Sequence, residues 1–153
     1  MKIRKAQKKD IEQILVLSSE LLDFHYNFDK YYKVYEKYED HREYYLGQLK
    51  KKGTLYLVAE NEKKEIVAFA SGYIISMGKS KAPKIGVLVA NFVRKDSRKK
   101  GIGSALFTSL LDWFKKNNIK YIEMSVDSKN KKALNLWRKN GFKDYQVKLK
   151  KDL

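Results

Sequence analysis

Apolar positions recur along this chain with two periods, and each change of period marks a boundary between elements. Ile3 to Ala6 reads as a short strand. From Asp10 onward, Ile11, Ile14, Leu15, Leu17, Leu21 and Leu22 follow helical spacing and predict a helix with one buried face. Phe24 to Tyr38 is aromatic and irregular. Asp40, with Glu43 three residues on, has the form of a capping box and predicts a second helix to about Lys51, ended by Gly53. Leu55 to Glu60 and Ile66 to Ile75 are β-rich and separated only by polar Asn61 to Lys64, the pattern of a hairpin. Gly72 inside the second run predicts a bulge or close packing. After a loop over Met77 to Pro83, Ile85 to Val93 reads as the next strand. Gly101 to Lys116 places Ile102, Ala105, Leu106, Leu110, Trp113 and Phe114 on a broad apolar helical face, and Asn117-Asn118 stop it. Tyr121 to Val126 predicts a strand, and Asn130 to Lys139 a helix ended by Gly141 in a left-handed cap. Phe142 to Leu149 alternates as a last strand. The order β-α-α-β-β-β-α-β-α-β describes one mixed α/β domain over residues 1–153, without repeats or a linker.

The chemistry sits in a turn. Arg98-Lys99-Lys100-Gly101-Ile102-Gly103 joins a strand to a helix. Glycines let the backbone bend and let an anion approach, and the first N–H groups of the helix then point at it. The turn is not a mononucleotide loop, since no Gly-Lys-Ser/Thr ends it, and not a dinucleotide fingerprint, since the third glycine is missing. A second block follows about thirty residues on, from Asn130 through Ala133 and Trp137 to Gly141-Phe142.

Together, Arg98, Gly101 and Gly103 with Asn130, Ala133, Trp137, Gly141 and Phe142 resemble the two signature blocks of the GNAT family of N-acetyltransferases. The match runs from about Ile85 to Phe142. The resemblance implies a mixed, mostly antiparallel sheet flanked by helices and splayed between its fourth and fifth strands, with acetyl-CoA in the splay. It implies that Lys99, Lys100, Gly101, Ile102, Gly103 and Ser104 receive the pyrophosphate, with charge from Arg98 and Lys100. The backbone at Phe92 and Val93 would pair with pantetheine. Asn130 would bond pantetheine, or serve simply as a helix N-cap. Trp137 would pack against the cofactor or the core.

Composition limits the alternatives. The chain has no cysteine, which excludes a thiol nucleophile and a thiolate metal site, and two histidines, which exclude a histidine-rich one. No apolar run approaches membrane-spanning length, and Met1 to Ala6 lacks the apolar core of a signal peptide, so the expectation is a cytoplasmic protein without a membrane partner. The net charge is +16, from 29 lysines and five arginines against 18 acidic residues. The lysines are scattered among polar positions, the pattern of a solvated surface rather than of a nucleic-acid reader.

Acetyl transfer to an amine needs a neutral amine, a polarised thioester and a proton for the leaving thiolate. Many relatives use a tyrosine on the last helix for that proton. Here the position is Trp137, and an indole N–H is not an acid near neutral pH. Relatives often carry a glutamate on the fourth strand, whereas Ile85 to Val93 has no carboxylate. His25 is a candidate base, with a packed or surface histidine as the alternative. Tyr26, Tyr31, Tyr32 and Asp127 are candidates for contacting the acceptor, or ordinary aromatic and turn residues. The expected activity is direct attack of a primary amine, on a small molecule or a protein, in a ternary complex. The rival is a coenzyme A sensor or a basic docking module on the same fold. A homodimer is an assembly open to either.

Overall fold

The fold is described by a computed structural model of residues 1–30, 38–79 and 83–151, without the side chains of 38–40, and among these residues it has four α-helices and five strands. The strands are β1 (Lys2–Lys5), β2 (Thr54–Glu60), β3 (Ile66–Ser76), β4 (Lys84–Val93) and β5 (Ile122–Glu123). The helices are α1 (Ile11–Tyr26), α2 (Tyr38–Lys50), α3 (Ile102–Lys116) and α4 (Lys131–Lys139). The sheet runs in chain order, antiparallel throughout except for a parallel β4–β5 pair. α2 begins two residues before Asp40, so that residue lies inside the helix, and its capping side chain is outside those described.

Each sheet face carries its own core. On one side Ile11, Ile14, Leu15 and Leu17 of α1 and Tyr45 of α2 bury against Val58, Phe69, Ala90 and Phe92. On the other, Ile102, Leu106, Phe107, Leu110 and Phe114 of α3 bury against Leu57, Ala70 and Leu88. The apolar stripe expected of α3 is therefore present, rotated slightly: Ala105 is exposed and Phe107 takes its place inside. A short 3-10 turn, Lys8–Asp10, leads into α1.

Asp10 is almost wholly buried and binds Arg4 through both carboxylate oxygens, at 2.7 and 2.9 Å, while Arg4 also reaches Glu60 at 2.6 Å. Burial alone would raise the Asp10 pKa, but the Arg4 bonds and the Gln7 N–H hold it below the ordinary carboxylate value. A folded-state pKa below the unfolded one gives stability that is present above about pH 4 and lost as pH falls through the lowered value. Asp10→Asn should cost about 2 kcal/mol at pH 7, less than a fully broken buried pair because Glu60 still serves Arg4. Chemical denaturation at pH 7 and pH 3 checks this: the gap between variant and parent should shrink in acid.

The expected last strand is not formed. Phe142 docks on the core, but Tyr145, Val147 and Leu149 are 80%, 85% and 93% exposed, and residues 143–150 have no strand pairing. Alternation makes a strand only beside a partner edge, and β5 is two residues long rather than the Tyr121–Val126 expected. The mixed, mostly antiparallel sheet stands without it.

Candidate functional site

The site begins with one extra residue in β4. Ser71 pairs with Ala90 and Gly72 with Leu88, which leaves Val89 unmatched as a bulge. The insertion exchanges the faces of the strand. Leu88 packs against the α3 core, whereas Ala90 and Phe92, which would share its side in a regular strand, pack against α1. Gly72, expected to mark a bulge or a close approach, does both: a Cβ there would lie 2.8 Å from the Val87 carbonyl and 2.9 Å from the Phe114 ring.

Beyond the bulge, β4 loses its outer neighbour. β5 pairs with it only at Gly86↔Ile122 and Val87↔Glu123. From Leu88 to Val93 no strand lies on that edge among the described residues, so β4 presents backbone polar groups to an open cleft. Val89 to Val93 spans roughly 13 Å of this edge.

At the end of that edge the chain turns into α3. Lys99 and Gly101 adopt left-handed conformations, with φ of 63° and 75°. Gly101 is the N-cap residue and has no side chain to offer, so the N–H groups of Ile102, Gly103 and Ser104 are uncapped. The Arg98 side chain folds back, donating to the Val93 carbonyl at 2.9 Å with its guanidinium 5.7 Å from the Phe92 ring centroid. Lys99 and Lys100 are exposed beside the uncapped turn. Phe92, Val93 and Arg98 through Ser104 are thus brought to one place.

Asn91 was not singled out in the sequence. Its amide donates to the Gly103 carbonyl at 3.0 Å, tying β4 to the first turn of α3, and its Oδ1 is buried without a hydrogen-bond partner among the described residues. An Asn within an apolar run before a Gly-rich turn was the available signal.

The second block is structural in part. Asn130 is buried, and its side chain accepts from the Ala133 N–H at 3.1 Å as the N-cap of α4. Gly141 closes α4 at φ 90°, as expected. Trp137 lies in a three-ring cluster, 5.1 Å from Phe107 and 5.6 Å from Phe142, which fastens α4 and the following segment to α3. Trp137→Ala should therefore lose about 2 kcal/mol of stability, below the cost of a fully buried ring, whereas Trp137→Phe should keep most of it. Denaturation of both variants checks the difference. Equal loss of turnover in the two, with stability intact in Phe, would instead make the indole N–H a reacting donor.

The candidate base His25 and the acceptor candidate Asp127 come close enough to interact. Burial lowers the His25 pKa, and the charge of Asp127 partly offsets that, so the imidazole is neutral at pH 7. Asp127 also accepts from the Lys129 N–H at 2.8 Å in a local turn. Tyr26 is partly exposed at the end of α1, and Tyr31 and Tyr32 lie outside the described residues. His25, Tyr26 and Asp127 do not line the cavity of about 260 Å³ that opens beside Val89, between α2 and β2–β4. Its floor holds Tyr56, whose phenol burial pushes well above its ordinary pKa, and Ser71 lines it as well.

Residues 17–142 match the profile of the Acetyltransferase (GNAT) family, and the chain belongs to that family. It is 29% identical over 147 residues to an uncharacterized N-acetyltransferase, MJ1207, of Methanocaldococcus jannaschii; the match takes in 95% of this chain but 62% of that relative. A tetramutant of the BH1408 protein of Bacillus halodurans has a similar structure, with a TM-score of 0.88 at 17% identity over 100% of both chains. So does a predicted acetyltransferase from Clostridium acetobutylicum solved with acetyl-CoA, at TM-score 0.79 and 20% identity over 99% and 95% of the two chains. No helix among the described residues is long and apolar enough to cross a membrane.

Proposed function

We propose that the chain is an acetyl-CoA-dependent N-acetyltransferase that transfers acetyl to a primary amine by direct attack. The carrying observation is the unpartnered edge of β4 running from the Val89 bulge to the uncapped, left-handed turn at Gly101. Such an edge suits an extended chain with amide groups, and the turn suits a pyrophosphate. Acetyl-CoA has both and supplies the activated acyl group as a thioester.

The residues divide the work. N–H groups of Ile102 to Ser104 hold the anion, with charge from Arg98, Lys99 and Lys100. The Val93 backbone, which faces the open edge, pairs with the pantetheine arm beside Phe92, and Trp137 keeps α4 packed beside the site. Asn130 acts through the turn it caps. The acceptor nitrogen attacks the carbonyl carbon; the C–N bond forms, the C–S bond breaks, and sulfur keeps its electron pair. The surplus proton on nitrogen leaves to the thiolate or, through water, to a base. His25, neutral at pH 7 and within reach of Asp127's charge, is the base candidate.

Following free thiol release from acetyl-CoA across a panel of amines tests this reading. Amine-dependent thiol release supports it. Tight acetyl-CoA binding with no turnover on any amine would favour a sensor, a reading kept in view by Trp137 and by the absence of a carboxylate on β4.

A further inference from the structure

The cavity beside Val89 has a chemical character of its own. At about 260 Å³ it falls just below the size usual for drug-like ligands and suits a molecule of amino-acid size. Tyr44 and Tyr73 give it aromatic walls, and Gln48, Lys51 and Thr54 stand together at one side. The turn from α2 to β2 gathers those three. Lys51 N–H donates to the Gln48 carbonyl at 3.2 Å, and Thr54 N–H donates to the Lys51 carbonyl at 3.3 Å. Gly53 supplies the left-handed residue, φ 76°, that this tight connection needs.

All three side chains can donate hydrogen bonds, and Lys51 adds a full positive charge. The Thr54 hydroxyl oxygen is buried and has no partner among the described residues, a state that buried polar groups rarely keep without a ligand or a water. No aspartate or glutamate lines the cavity among the described residues. The chain as a whole carries +16, so its field also draws anions. Three donors and no carboxylate among the described lining residues, with Val89 of the bulge at its edge, describe a pocket for the anionic end of an acceptor.

We propose that this cavity is the acceptor pocket and that it selects a small amine bearing a carboxylate, of the amino-acid class. Lys51, Thr54 and Gln48 hold the carboxylate, the tyrosines flank the rest, and the amine faces Val89. This rests on the acetyltransferase reading above. A polycationic acceptor finds no counter-charge among the described lining residues and meets Lys51 instead.

The test is steady-state thiol release by the whole chain with free amino acids, their carboxamides, spermidine and kanamycin, alongside calorimetry of acetyl-CoA binding. The best free amino acid should exceed its carboxamide about tenfold in kcat/KM, the worth of one charge-assisted contact. Lys51→Glu, at an exposed position, should erase or reverse that preference through KM while acetyl-CoA affinity holds. Thr54→Val should raise KM for the acid in the same direction. A preference for spermidine or kanamycin, equal use of acid and amide, or an acceptor order unchanged by Lys51→Glu overturns the proposal. If acetyl-CoA binds and other amines react but no carboxylate-bearing one does, this proposal falls and the acetyltransferase reading stands. If acetyl-CoA does not bind, that reading falls and takes this one with it.

Discussion

Valine at Gly103 should weaken acetyl-CoA binding about a hundredfold while the protein stays folded. Gly103 lies in the first turn of α3, opposite the end of β4. A Cβ there would meet Val93 Cγ2 at 3.4 Å and Asn91 Oδ1 at 3.9 Å, ordinary contacts that the fold accepts. The two further methyl groups of valine have to enter the cleft between β4 and the uncapped N–H groups, where the anion is proposed to sit. Losing one or two charge-assisted hydrogen bonds costs about 3 kcal/mol, close to a hundredfold in affinity. Gly101 is a poorer probe, because its φ of 75° would strain any side chain and confuse binding with folding. Calorimetry, with circular dichroism to verify the fold, decides the matter. Unchanged affinity in a folded Gly103→Val variant would remove the phosphate turn from the site.

What the sequence reveals and what it hides follow from the range of the interactions involved. The turn at Arg98 to Gly103 is local: a few residues set its conformation, so their spacing was enough to find it. α3, β2 and β3 were likewise legible, because a long stripe or a hairpin repeats its signal. Gly72 signalled a bulge or close packing, but the extra residue opposite it, Val89, was not legible. Ile85 to Val93 is apolar almost throughout, and such a run gives no sign of which residue is extra. That only emerges when Ser71 and Gly72 are set against Ala90 and Leu88. The cavity was hidden for the same reason, since Lys51, Tyr73 and Val89 come from three separate segments. The expected strand over Phe142 to Leu149 failed in the opposite sense: its alternation is real, but a strand is a property of a pair, and β5 offers no edge long enough. Asn130 shows a further limit. Capping α4 is a role that the residue fills by itself, and any contact with a cofactor would add to it without changing the sequence.

Phe114→Ala should be among the most damaging single changes, destabilising the protein by about 4 kcal/mol. Phe114 is fully buried, and the sheet is shaped around it. A Cβ at Gly86 would come within 2.5 Å of its ring, and one at Gly72 within 2.9 Å. These two glycines sit in adjoining strands, and Gly86 is also paired with Ile122, one residue before the last β4–β5 pair, Val87 with Glu123. The ring thus fills the base of the splay. Its removal leaves a cavity that the backbone can close only by moving that β4–β5 contact. The converse change should act through the same place. Gly86→Ala should cost about 2 kcal/mol by overpacking, because the atoms it meets belong to a side chain with no free volume around it. The two effects should not add. In a Phe114→Leu background, whose smaller side chain makes room, Gly86→Ala should cost clearly less than it does alone. Chemical denaturation of the four proteins closes the cycle, and strictly additive costs would show that Phe114 and Gly86 do not share the contact assigned to them.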